Sequence, residues 1–271
     1  MSQTAEASRN AAGRTLLGIA VNKLPLAALV ARAVRAIDEP VDAPFTFACA
    51  NPHSLVVARR DAYFRQCLRS CSAVVADGIG VKVAGMITGG QFGPRITGWD
   101  FYNATMRELD RRGGKAFFFG SRAEVLELIR KRAAGDYPRV RIETLSPPYG
   151  EWTEVENEAM LDRVRAFAPD ALWVGMTAPR QEKWVHANAL LARAPVVGSI
   201  GAVFDYYAGT VKRAPSWICN AGLEWLYRLA GEPERLWKRT VVSAPQFLWL
   251  VLRERFQPAT DVDVDSIAPA Q

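Results

Sequence analysis

The sequence predicts an α/β protein: a Rossmann-like, mostly parallel sheet with helices on both faces, followed by a C-terminal helical appendage suited to associating with a membrane. Three observations predict this. Short apolar runs alternate with helical patterns between residues 16 and 200, the order that yields parallel strands joined by crossover helices. After Tyr207 the strand signals stop and only helical patterns follow. That last part carries Trp217, Trp225, Trp237 and Trp249 among spaced Arg and Lys, a mixture that suits an interface between water and lipid.

The elements follow in order. Residues 1–13 and the tail from Pro258, PATDVDVDSIAPAQ, offer little to pack and are expected to be disordered. A first strand is predicted at 16–21, then a helix at 25–37 and the strand FTFACA at 45–50. One helix over 55–69 leads to the strand AVVA at 73–76. Helices at 99–112, 122–134, 154–167 and 179–192 then alternate with strands at 115–119, 140–145, 171–174 and 196–200. A boundary falls near residue 210. Beyond it, helices are expected at 215–230 and 233–255, the second interrupted at Pro245. Gly231 ends one helix and Pro233 suits the first position of the next. The chain thus divides into 1–13, an α/β domain at 14–210, a helical appendage at 211–257 and a tail at 258–271.

Composition narrows the function. The 271 residues, 49% hydrophobic, suffice for one large domain with an appendage, and a net charge of +6 favours anionic partners such as phosphates, acidic lipid or nucleic acid. No apolar run approaches the roughly 20 residues of a transmembrane helix. The N-terminus lacks a secretion signal, so a cytoplasmic protein is expected. The four cysteines (Cys49, Cys67, Cys71, Cys219) form no paired zinc pattern and read as reduced thiols. His53 and His186, the only histidines, are far apart and suggest neither a metal site nor a triad. No nucleophile elbow and no Walker loop occurs.

Ligands of an open α/β sheet bind beyond the carboxyl ends of its strands. Three such ends carry polar residues: Asn51, Asp77, and Thr177 with Gln181. Asp77 is the candidate general base, placed to accept a proton from a bound hydroxyl; the same position also suits a helix cap. Gly78 and Gly80 permit close backbone approach. A dinucleotide reading of Gly78-x-Gly80 is weakened by Val83, where a third small residue belongs, and by Asp100, which lies at about the right distance but follows no apolar strand. Arg95 can hold a diphosphate through paired hydrogen bonds or can be a solvated loop residue. Gln181 suits a sugar or base edge, or solvent. Asp205 reads equally as a site residue and as a structural carboxylate. Acidic Asp-x-Asp runs occur only in the tail, so a diphosphate leaving group would be stabilised by arginines in place of a metal ion.

The motifs DGIGV (77–81), RITGWD (95–100), PRQEKW (179–184), GAVFDYYAGTVKRAPSW (201–217) and GLEWLYRLAGEPERLWKR (222–239) resemble the WecG/TagA/CpsF family of glycosyltransferases, in order and over about residues 16–252. The resemblance implies an inverting transfer, without metal or other cofactor, of a sugar from a UDP-sugar to a polyprenyl-diphosphate-linked sugar. Asp77 matches the family's proposed base, Asn51 the asparagine of its Thr-x-Asn motif, and Arg95 and Gln181 residues of the site. Arg228 and Arg235 match appendage arginines that complete the site over the diphosphate at the membrane. Cys49 stands where the motif has threonine, and Lys238 where a third arginine is often found, which loses the bidentate fork. The expected partners are the UDP-sugar, the lipid-linked acceptor and the inner face of the bacterial cell membrane, with no nucleic acid. A second copy of the chain could cover the apolar appendage away from lipid. Glucose, glucuronic acid, N-acetylmannosamine and its uronic acid are all open as the donor sugar. Two rivals stand beside this reading: a Rossmann enzyme using NAD(P) or a nucleotide sugar without membrane contact, and a basic module binding nucleic acid or lipid.

Overall fold

The computed structural model describes residues 13–39, 42–89, 93–215, 217–218, 223–231, 234, 237 and 242–256. Most of the two terminal segments, together with Cys219, Pro233, Arg235, Lys238 and Arg239, lies outside the described residues.

The predicted strand at 16–21 is instead a hairpin, β1 (Gly13–Leu16) and β2 (Ile19–Asn22), paired antiparallel apart from the main sheet. Its two turn residues, Leu17 and Gly18, have φ of 50° and 81°. Positive φ at both centres gives the tight turn that matches strand twist, and it reverses a run that reads as one continuous strand. The chain continues through α1 (Leu26–Asp38), β3 (Phe45–Ala50), α2 (Pro52–Arg60), α3 (Ala62–Ser70) and β4 (Ala73–Ala76). The single helix expected over 55–69 is therefore two. Asp61 takes an extended backbone (φ −108°, ψ 99°) and its carboxylate caps α3 by accepting from the Phe64 N–H at 2.9 Å. This local bond competes with helix continuation.

Next come α4 (Ile79–Ile87), α5 (Gly98–Arg112), β5 (Lys115–Gly120), α6 (Ala123–Asp136), β6 (Arg141–Leu145), α7 (Glu154–Phe167), β7 (Ala171–Gly175), α8 (Arg180–Ala192), β8 (Val196–Ser199) and α9 (Gly201–Ala208). Two helices are described further on, α10 (Glu224–Gly231) and α11 (Ser243–Phe256). Pro245 lies in the first turn of α11, where a proline's missing N–H costs little; residues 238–241, which precede this helix, lie outside the described residues.

The main sheet has six parallel strands in the order β4-β3-β8-β7-β5-β6. Alternate residues of each strand enter cores on opposite faces. Phe47, Val75, Phe118 and Trp173 meet α1, α5, α6 and α9 on one face. Ala48, Val74, Phe117 and Leu172 meet the hairpin and the α2, α3, α4, α7 and α8 layer on the other. Burial on both faces explains why these strands read as unbroken apolar runs.

α11 packs on α2 and α4, and its Phe247 and Val251 are fully buried in the second core. Glu254 accepts the Leu17 N–H at 3.1 Å, and His53 Nδ1 lies 2.9 Å from Ser243 Oγ. No described helix is long and apolar enough to cross a membrane.

Candidate active site

β8 sits between β3 and β7. The helix after β8 (α9) leaves over one face, while those after β3 and β7 (α2 and α8) leave over the other. Helices diverging in this way open a crevice at the strand ends. A cleft of about 1410 Å³ lies there. Asn51, Asp77, Arg95, Gln181, Asp205 and Arg228 all line it. The structure thus brings together the six expected site residues that it describes; Arg235 lies outside the described residues.

Asp77 follows β4 directly, its N–H bonded to the Ala50 carbonyl at 2.9 Å. It does not cap α4. The cap is Gly78, at φ 91°, and no side chain bonds that helix's first turn. The backbone there takes a form that side chains other than glycine rarely adopt. Gly80 lies against α2 so closely that a Cβ would come 2.5 Å from Pro52 Cγ. The Asp77 carboxylate has no hydrogen bond or ion pair among the described residues. Burial and the nearby Glu224 carboxylate raise its pKa to about 6, while Arg95 and Arg228 pull the other way. A half-buried, unpartnered carboxylate of raised basicity in a cleft has the properties of a general base.

Asn51 is itself a helix cap. Its Oδ1 accepts the Ser54 N–H at 3.0 Å, and Ser54 Oγ accepts the Asn51 N–H at 2.8 Å. The cap fixes the amide at the rim of the cleft and leaves Nδ2 without a bond to the described protein. Gln181 is buried rather than solvated. Its Oε1 accepts the N–H groups of Gly201 at 3.0 Å and Met176 at 3.3 Å, and its Nε2 donates to Glu182 Oε1 at 2.8 Å. It therefore ties the ends of β7 and β8 to α8. Asp205 lies on the cleft side of α9, and its backbone carbonyl accepts from Val211 and Thr210.

Arg95 forms an ion pair with Glu224 of α10, each side chain one-fifth exposed. Arg228, one turn further along α10, places its guanidinium 5.5 Å from the centre of the Tyr206 ring. Arg213 stands over Trp99 at 5.2 Å. Cys49 also lines the cleft; burial, then the charge of Asp77, pushes its thiol well above the usual range. At neutral pH it is therefore an uncharged thiol. Cys67 and Cys71 are free thiols, as expected.

Glu224 and Tyr206 are the cleft residues that sequence reasoning passed over, although both sit inside quoted motifs. The available signal was Glu224 standing four residues before Arg228 in GLEWLYR, the two charged residues of that stretch.

An open parallel sheet whose strand ends present one bare carboxylate among guanidinium groups defines an α/β enzyme built around an anionic ligand. The profile of the Glycosyl transferase WecG/TagA/CpsF family matches residues 14–261. The chain belongs to this family and is a glycosyltransferase of the hexosyltransferase kind. It is 31% identical over 219 residues to the N-acetylglucosaminyldiphosphoundecaprenol N-acetyl-beta-D-mannosaminyltransferase of Bacillus subtilis (strain 168), covering 80% of this chain and 82% of the relative. The enzyme of the same name from Bacillus spizizenii (strain ATCC 23059 / NRRL B-14472 / W23) is 30% identical over 204 residues, 75% of this chain and 77% of the relative. That of Staphylococcus aureus (strain MW2) is 26% identical over 208 residues, 76% of this chain and 79% of the relative.

Proposed function

We propose that this chain transfers a hexosyl residue from a UDP-sugar to the sugar of a polyprenyl-diphosphate-linked acceptor, with inversion and without a metal ion, during assembly of a bacterial surface polysaccharide. The observation that carries the reading is the Asp77 carboxylate, unpartnered at the strand ends with its pKa raised to about 6. Near neutral pH such a group is ionised yet still basic enough to take a proton. In this reading Asp77 removes the proton of an acceptor hydroxyl, O4 in our assignment. The oxygen attacks the anomeric carbon on the face opposite the nucleotide. The bond to UDP breaks, and an α-linked donor gives a β-linkage.

Arg95 and Arg228, with Arg235, take up the charge of the departing diphosphate. Arg95 and Arg228 line the cleft, and donors held in a site need little reorganisation as that charge develops; Arg95 exchanges its Glu224 partner for the diphosphate. Asn51 Nδ2 and the Asp205 side chain are assigned to substrate hydroxyls. Gln181 acts on the substrate site by fixing the loops around it. The relatives' names support a lipid-linked N-acetylglucosaminyl acceptor and an N-acetylmannosaminyl donor.

Residues 211–257 are assigned as the segment that meets the inner face of the cell membrane. Trp217, Trp225, Leu226, Trp249, Leu252 and Phe256 are exposed there, and exposed aromatics beside arginines suit the headgroup region. The experiment is a donor screen. Purified chain is offered a panel of UDP-sugars with a short-chain polyprenyl-diphosphate-N-acetylglucosamine in EDTA, and products are identified by mass. One donor should yield the acceptor plus one hexosyl unit and an equivalent of UDP. Failure of every donor, or transfer only when metal is restored, overturns the reading.

A further inference from the structure

The cleft holds a buried polar group to which the proposed reaction assigns no role. α9 turns Val203, Phe204 and Tyr207 into the core and Tyr206 toward the cleft. Tyr206 is only 9% exposed, and its hydroxyl has no hydrogen-bond partner among the described residues. A buried hydroxyl left unpaired is uncommon and costly. Tyr102 and Tyr207 carry hydroxyls in the same condition, but neither lines the cleft. Arg228 Nε is also buried and without a hydrogen-bond partner among the described residues, and its guanidinium lies over the Tyr206 ring, 5.5 Å from its centre. Two unsatisfied donors therefore sit on neighbouring residues of the cleft lining.

We propose that Tyr206 is a substrate-contacting residue whose hydroxyl donates to an oxygen of the diphosphate gripped by Arg228, while its ring holds that guanidinium in place. The assignment rests on the transfer reading above for the identity of its ligand. A donor pair of this kind matches the acceptor-only oxygens of a diphosphate, and hydrogen bonds to ionised acceptors are among the strong ones. Arg228, Glu224, Asp77 and Arg213 are the charged groups around the phenol, and burial raises its pKa to about 12. At neutral pH it keeps its proton and is available as a donor to an anion.

Two diphosphates pass through such a site: that of the nucleotide and that of the lipid. The test is Tyr206→Phe in the full chain, which keeps the ring and deletes the hydroxyl. Binding of inorganic diphosphate and of UDP is measured by calorimetry, KM is measured for a short-chain polyprenyl-diphosphate sugar, and thermal unfolding is followed without ligand. We expect inorganic diphosphate to bind about tenfold more weakly to the variant. The unliganded variant should melt at the same temperature or higher, because the deleted hydroxyl had no partner.

A matching loss for UDP with an unchanged acceptor KM assigns the contact to the nucleotide; the reverse assigns it to the lipid. Wild-type affinities with a wild-type KM, or a variant destabilised without any change in binding, overturns the proposal. So does a wild type that binds neither inorganic diphosphate nor UDP and has no measurable acceptor KM. If the wild type transfers sugar and Tyr206→Phe equals it in every respect, Tyr206 alone is misassigned. If the wild type transfers nothing but binds inorganic diphosphate through Tyr206, the reaction is misassigned and the contact stands.

Discussion

The Glu224 carboxylate pairs with the Arg95 guanidinium across the Asp77 cleft, joining two residues 129 positions apart. The pair links α10 to the loop before α5 and puts a second negative charge near the carboxylate assigned as base.

That charge has a measurable effect on pH dependence. Glu224 raises the Asp77 pKa and Arg95 lowers it, with Arg228 on the lowering side and Asp100 on the raising side. Glu224→Gln removes one raising charge and frees Arg95 to lower the pKa further. Activity needs the ionised form of Asp77, so the acid limb of kcat/KM, set near about 6 in the wild type, should move to lower pH. A pH–rate profile checks this. A limb that stays in place or moves up contradicts the arrangement.

Asp77 also bears on stability. Its pKa is about 6 in the folded protein against an ordinary 3.8, so the folded state holds the proton more tightly than the unfolded chain. Its contribution is most favourable below pH 3.8 and is lost as pH rises through about 6. Asp77→Asn removes that penalty. The variant should melt a few degrees above wild type at pH near 8 and close to it near pH 4. Melting curves across this range decide the matter, and equal melting temperatures at the higher pH contradict the burial of the charge.

Gln181 supports the cleft through three hydrogen bonds. Gln181→Leu leaves the Gly201 and Met176 N–H groups without their acceptor, a loss of about 2–4 kcal/mol from two unsatisfied donors. Denaturant unfolding measures it. A loss below about 0.5 kcal/mol, the range of ordinary surface substitutions, would mean that the loops hold their shape without it. Replacing Gly201 with alanine should disturb the same network, since its Cβ would lie 2.5 Å from Gln181 Oε1.

Much of the fold was legible in the sequence because the strands are buried on both sides. FTFACA, KAFFF and ALWV stand out as apolar runs bounded by turn residues, and their helices supply the alternation. The hairpin was not legible, because Leu17 and Gly18 continue an apolar run and only their positive φ values reverse it. Nor was the break at Asp61, where a short carboxylate takes a local backbone bond inside a helical pattern. In the site, Asp77, Asn51 and Gln181 could be found because strand ends mark where ligands bind. Gln181's part as a buried tie between loops could not, since its partners lie just after β7, on α8 and at the start of α9. Tyr206 and Glu224 were hidden for the same reason: their meaning comes from Arg228 and Arg95, distant neighbours that only the folded chain supplies.

The central claim is that Asp77 takes the proton from the acceptor hydroxyl. Single-turnover transfer to the lipid-linked acceptor, compared between wild type and Asp77→Asn with UDP binding measured alongside, tests it most directly. The account predicts a rate lower by about 10²–10⁴-fold with UDP affinity retained. Transfer at the wild-type rate by the asparagine variant would contradict it.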